Sequence, residues 1–263
     1  MDELQKKYIK KIKKKKIIVI IVQLFLVIQF FVMWQLLADL KIINSFLFSS
    51  PLKIWHSLVK LVLNGEIFIH LFTTLYEVLI SFFIGTFGGL VIAIILYEFK
   101  TLYKIFDPFL TMLNSLPKVA LGPLIIIIFG ANIKSIIVMA LLINLIISII
   151  TIHNGFLNTD EIKLKLFSSF KASKKQTLFM LIIPSAFNSI ISSLKLNISM
   201  SLIGVIMGEF LVSKKGIGYL IIYGTQVFNL DIVMLGILIL VIISFLLYEI
   251  IFYIEKRTLK KQD

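Results

Sequence analysis

Residues 159–184 read TDEIKLKLFSSFKASKKQTLFMLIIP. A polar stretch gives way to an apolar run, and Pro184 interrupts that run. Beyond it, residues 194–210 (LKLNISMSLIGVIMGEF) lead to a glycine pair, Gly216 and Gly218. Ile162, Leu166, Phe167 and Phe170 recur near helical spacing, which predicts a short helix with one apolar face. Such a helix needs a partner on a soluble side. Two remain open at this level: the groove of another protein, or this protein's own helix ends.

The apolar content around this stretch sets the class. Of 263 residues, 59% are hydrophobic and only 16% charged, with mean hydropathy +1.02. Soluble domains carry roughly 45–50% apolar and about 25% charged residues. The excess has no soluble core to enter, so the expected solvent is a bilayer. With no cysteine, disulfides and cysteine-based metal sites are excluded.

Six spans are expected, at 17–38, 73–97, 105–130, 135–152, 178–211 and 231–254. The first carries no charge and is longer than the apolar region of a signal peptide, which argues against cleavage. The third is interrupted by Pro117, Gly122 and Pro123. The fifth would be about 51 Å long as one straight helix, so its first part is expected to project into the cytoplasm. Segment 51–63 reads as an amphipathic helix, with Ile54, Leu58 and Leu61 on one face and Lys53, Ser57 and Lys60 on another. It would lie at the membrane surface or dock an external partner.

Charge orients the chain. With both termini cytoplasmic, the inside segments hold 19 of the 27 Lys and Arg and the outside segments 6. The basic Lys10–Lys16 cluster then reads as a topology signal or anionic-lipid contact, in preference to a nucleic-acid arm. The expected organisation is a basic cytoplasmic tail at 1–16, an N-terminal span at 17–38 and an external segment at 39–72. A core at 73–255 contains a cytoplasmic loop at 153–176, and a cytoplasmic tail at 256–263 follows.

Several segments, taken in order, carry a resemblance to a known family. They are Phe48-Ser49-Ser50-Pro51, Phe106-Asp107-Pro108, Leu116-Pro117, Gly122-Pro123, Phe129-Gly130, the loop at 160–184, Gly208-Glu209-Phe210 and Gly216-Ile217-Gly218-Tyr219-Leu220. Together they resemble the permease subunits of binding-protein-dependent ABC importers, nitrate/sulfonate/taurine branch, over roughly residues 45–255. The resemblance implies an all-α polytopic fold of the type I importer permease (MetI-like) class. Five spans would form the core, with one added at the N-terminus. It also implies location in a bacterial plasma membrane, cytoplasmic ATPase subunits, an extracytoplasmic solute-binding protein, a second permease copy, lipid contact and no cofactor. The loop would dock on the ATPase through Asp160, Ile162, Leu166, Phe167, Phe170, Lys171 and Ala172, with Pro184 behind it. It departs from the family pattern. Lys165-Leu166-Phe167 stand where Glu-Ala-Ala is usual, Lys171 at the usual glycine and Ile183-Pro184 at the usual Leu-Pro. Glycine would give the turn its φ > 0 without strain.

Polar groups inside a bilayer face protein or water. Asn114, Ser115 and Lys118 flank the break in the third span, as path lining or as a packed kink. Ser193, Lys195, Asn197, Met200 and Glu209 are further path candidates. Lys118 and Lys195 are the candidate cations for an anionic solute. Gly85 and Gly89, Gly204 and Gly208, and Gly216 and Gly218 are expected to pack helices closely or to gate. An enzyme finds little support. His56, His70 and His153 lie in separate segments, and neither a His-x-x-x-His metal motif nor a Gly-x-x-x-x-Gly-Lys-Ser/Thr phosphate loop occurs. A stand-alone channel or carrier is the transport alternative.

Overall fold

The computed structural model describes residues 3–259 and, among them, is helical throughout with no strand. Residues 1–2 and 260–263, the extremes of the two expected tails, lie outside the described residues. Among the described residues, five helices are long and apolar enough to cross a membrane, and a bent pair makes a sixth if counted as one span.

The first long helix, α1 (Glu3–Asp39), follows its uninterrupted apolar run, and no residue of its membrane-length window is buried. Next, α2 (Pro51–Leu63) starts with proline in its first turn, where no N–H is needed, and is capped by Ser50. It buries Ile54 and Leu61 and leaves Lys53 and Lys60 exposed.

Three helices make the centre: α3 (Glu66–Glu98), α6 (Ile133–Leu157) and α10 (Phe187–Val212). They pack closely because glycines remove side-chain bulk at the crossings. A Cβ on Gly204 would lie 2.5 Å from the Ala140 Cα, and one on Gly208 would lie 2.9 Å from the Ile136 Cα. Gly85 and Gly89 of α3 are occupied in the same way by the side chains of Asn144 and Ser148 of α6. Outside this trio, α11 (Ile217–Gln226) and α12 (Leu230–Leu259) pack on each other and on α10.

The expected span at 105–130 is instead two arms. Helix α4 (Lys100–Ser115) and the segment Lys118–Phe129, which ends in α5 (Gly122–Phe129), meet at 91°. Pro117 causes the break, since the residue before proline is driven out of the helical region. Leu116 accordingly takes ψ 139. The expected span at 178–211 is also divided. The membrane-length helix begins only at Phe187, after a connector that contains Pro184.

Candidate functional site

The connector between α6 and α10 is built from local signals. Asp160 caps α7 (Glu161–Ser169), accepting from the Ile162 N–H at 2.8 Å. The helix ends in a Schellman motif: the Lys171 N–H reaches Ser168 O at 2.9 Å, and the Ala172 N–H reaches Phe167 O at 3.0 Å. That motif needs a left-handed residue, and Lys171 supplies it with φ 52. The turn associated with glycine is therefore made here by lysine. Ser173 and Gln176 then form a capping box that starts α8 (Lys174–Thr177). Next comes a widened turn over Leu178–Ile182, in which the Ile183 N–H reaches back five residues to Leu178 O. It directly precedes Pro184, which has no N–H to continue the regular ladder. Pro184 itself lies in a single short turn, α9 (Ile183–Ser185), before α10 begins.

Helix α7 presents two apolar sides. Leu164 packs against the cluster of Ala93, Ile152, Phe156, Leu178, Ile182 and Ala186, which fastens α7 to the bundle end. Phe167 is half-buried. Ile162, Leu166 and Phe170, four residues apart in turn, point away and are 77%, 51% and 74% exposed.

A second feature is a polar seam between α3, α6 and α10. Asn144 donates to Ser81 O at 2.8 Å and to Ser201 Oγ at 2.6 Å, and Asn197 donates to Thr86 Oγ1 at 3.1 Å. Ser193, Asn197 and Glu209 are all buried in α10, whereas Met200 is half-buried. These contacts bond the helices to one another; in a bundle of this kind each such bond is worth about 1 kcal/mol net.

At one end of the seam, Glu77 and Glu209 are buried, at 2% and 1% exposed. Glu209 accepts from Thr74 Oγ1 at 2.7 Å and from the Gly218 N–H at 2.5 Å. The Ile217 N–H donates to Thr74 Oγ1 at 2.8 Å, and the Gly216 N–H donates to His70 Nδ1 at 3.1 Å. Three successive N–H groups at the start of α11, which lack helical partners of their own, are thus held by side chains of α3 and α10. Gly216 has φ 105, and a Cβ there would run into the Glu209 carboxyl. Only glycine suits this position.

The remaining candidates are dispersed. Asn114 and Ser115 are exposed at the end of α4, and the Lys118 ammonium donates to Asn114 O at 2.7 Å. Lys195 forms the one salt bridge among the described residues, 2.5 Å from Glu255 Oε2, with its ammonium over the rings of Tyr248 and Phe252. Its charge is committed to tying α10 to α12. Sequence reasoning missed Thr74, Glu77, Asn144 and Glu255. The available signal was the spacing of Thr74, Glu77, Ser81 and Gly85, which lie on one stripe of an otherwise apolar helix.

Residues 85–260 match the family described as binding-protein-dependent transport system inner membrane component. An ABC transporter permease protein of Haemophilus influenzae is 30% identical over 216 residues, covering 82% of this chain and 87% of that protein. The aliphatic sulfonates transport permease protein SsuC of Bacillus subtilis is 27% identical over 227 residues, covering 86% of this chain and 82% of that protein. A chain of the MetNI methionine ABC transporter, solved in inward-facing conformations, matches with TM-score 0.61 at 17% identity. The match covers 72% of this chain and 95% of that one, and speaks for the fold. The helical core, the glycine-packed crossings and these matches converge on one assignment: the chain belongs to the inner membrane components of binding-protein-dependent transport systems, as the permease subunit of an ABC importer.

Proposed function

We propose that this permease conducts a small organic anion of the sulfonate type and is driven through α7 by an ATPase held on a separate subunit. The observation that carries the drive is the outward stripe of Ile162, Leu166 and Phe170 on a helix whose other side is fastened to the bundle. An apolar stripe of this kind fits a groove in a partner, the helix-in-groove mode. The residues 160–172 would face the cytoplasm with both termini, in keeping with the distribution of Lys and Arg. The solute class is supported by the aliphatic sulfonates named for the Bacillus relative.

In this reading the ATPases close on ATP and displace α7. The displacement passes through the 171–186 connector to α10, because ATP binding favours one conformation of the assembly over the other. A second copy of the chain completes the path, and an external binding protein delivers solute. Asn114, Ser115 and Lys118, on the exposed elbow of α4, line the path. Ser193, Asn197 and Glu209 steady its wall from within, Lys195 ties that wall to α12, and Met200 sits at its margin.

The test is the pair Ile162→Asp and Phe170→Asp. Both side chains are exposed, so the fold should survive. ATP hydrolysis should lose its stimulation by solute-loaded binding protein, and uptake should fall by roughly tenfold or more, the scale expected when apolar anchors are lost from an interface. Full coupled uptake by the folded double variant would remove α7 from the drive.

A further inference from the structure

The two lysines inside the spans are poor candidates for an anion site, since one is paired with Glu255 and the other is bonded to Asn114 O. The cationic groups gather elsewhere. A 980 Å³ cavity opens between α2, the start of α3, the 213–216 turn, α11 and the start of α12. Lys53, Lys60, Lys214 and Lys215 line it, facing two carboxylates, Glu66 and Asp231. Part of this charge is already committed. The Lys53 ammonium is 3.1 Å from Ser45 Oγ, and Asp231 accepts from Ser49 Oγ at 2.6 Å. Lys60, Lys214 and Lys215 have no ion pair among the described residues.

His70 adds a directed donor. Its Nδ1 accepts from the Gly216 N–H, so the neutral ring carries its proton on Nε2. The ring is held by stacking on Tyr219 at 5.8 Å, and Tyr219 stacks in turn on Tyr223 at 6.0 Å. Leu61, Ile69 and Ile232 supply apolar wall. A cavity with apolar walls, a fixed imidazole donor and unpaired ammoniums suits a charged head on a short apolar tail. Its volume is too large for a bare inorganic ion to fill.

We propose that this cleft is a reception site for an organic oxyanion, a sulfonate with a short alkyl tail, on the permease itself. The head would be held by Lys214, Lys215 and the His70 Nε2–H, and the tail would lie along Leu61 and Ile69. The proposal rests on the anionic-solute reading given above. The site concentrates anion at the outer mouth of the bundle, since a basic cleft with low-dielectric walls raises local anion concentration and encounter rate by roughly 10–10³-fold. The cleft is also connected to the core. The Gly216 N–H bonded to His70 belongs to the same run of three that Thr74 and Glu209 hold. Occupancy therefore reaches the α3–α10 contact through one hydrogen-bonded turn.

The experiment uses the full chain in nanodiscs of zwitterionic phosphatidylcholine, without binding protein, and propane-1-sulfonate as the probe, followed by saturation-transfer NMR. Saturable binding is expected, with the neutral propane-1-sulfonamide binding far more weakly. Lys214→Gln with Lys215→Gln, both exposed, should weaken sulfonate binding by roughly tenfold, the scale of losing a charge-assisted hydrogen bond. Lys10→Gln with Lys11→Gln should leave it unchanged. Absence of saturable binding, or equal binding by the 214/215 variant, overturns the proposal. So does displacement of the probe by anionic phosphatidylglycerol in the disc, which would make the cleft a headgroup site. Weaker association of the binding protein with the 214/215 variant, with sulfonate binding intact, would make it a protein-docking face and also overturn it. The two readings can fail separately. Wild-type uptake of sulfonate with a cleft that does not bind the probe removes only the cleft, whereas uptake restricted to neutral or cationic solutes removes the solute class and the cleft with it.

Discussion

Lys171 shows how a motif can persist after its usual residue is gone. A left-handed conformation costs an L-residue about 1–2 kcal/mol, whereas glycine adopts it freely but has more freedom to lose on folding. Lys171→Gly should therefore stabilise the chain by about 1 kcal/mol, read as a higher unfolding midpoint in detergent. No gain would mean that the Lys171 side chain offsets the strain through a contact of its own. The position was legible only through the resemblance to the importer permeases, which places Lys171 at that family's usual glycine. The clasp around Glu209 was not legible. Its partner Thr74 is 135 residues away, and a lone threonine in an apolar helix gives no sign of what it will meet. Lys195 misled for a related reason. A cation in a span suggests a solute, but Glu255, near the end of another helix, took its charge.

At the level of elements, the hydropathy of the chain located the apolar centre of each long helix, because an uninterrupted apolar run has one stable backbone solution in lipid, but not its ends: α3 starts at Glu66 and not at 73, and α10 at Phe187 and not at 178. Breaks were visible as proline and glycine, but their geometry was not. Pro117 announces that a helix stops, and the tertiary contacts of α5 with α6 decide that the next arm turns through 91°. Helix crossings carry the sharpest expectation. Gly204→Val would push a Cβ to 2.5 Å from a backbone atom of α6, which has no rotamer by which to yield. A loss of about 3 kcal/mol or more is expected, seen as thermal unfolding well below wild type. Gly88→Ala serves as the contrast, since the nearest atom there is the end of the Leu145 side chain at 3.2 Å. A variant at 204 as stable as the one at 88 would show that the crossing is loose.

For the whole molecule, the opposed placement of α7 and of the α2–α11 cleft is the largest claim, and the chain is suited to test it because it contains no cysteine. Asn64→Cys and Ser169→Cys, both at exposed positions, would each introduce a single thiol. A membrane-impermeant maleimide should label position 64 in intact cells and position 169 only after the membrane is opened. The reverse pattern would invert the assignment of every segment.

The glycine crossings have one further mechanical consequence. Because Gly204 and Gly208 bring α10 onto the backbone of α6, while Asn144 and Ser148 of α6 fill the space over Gly85 and Gly89 of α3, the trio is keyed and resists shear. A displacement applied at the α7 end of the trio would then turn it as a single block. Compliance is left to three joints in the chain: the elbow at Leu116-Pro117, the lysine-made turn at 171 and the widened coil before Pro184.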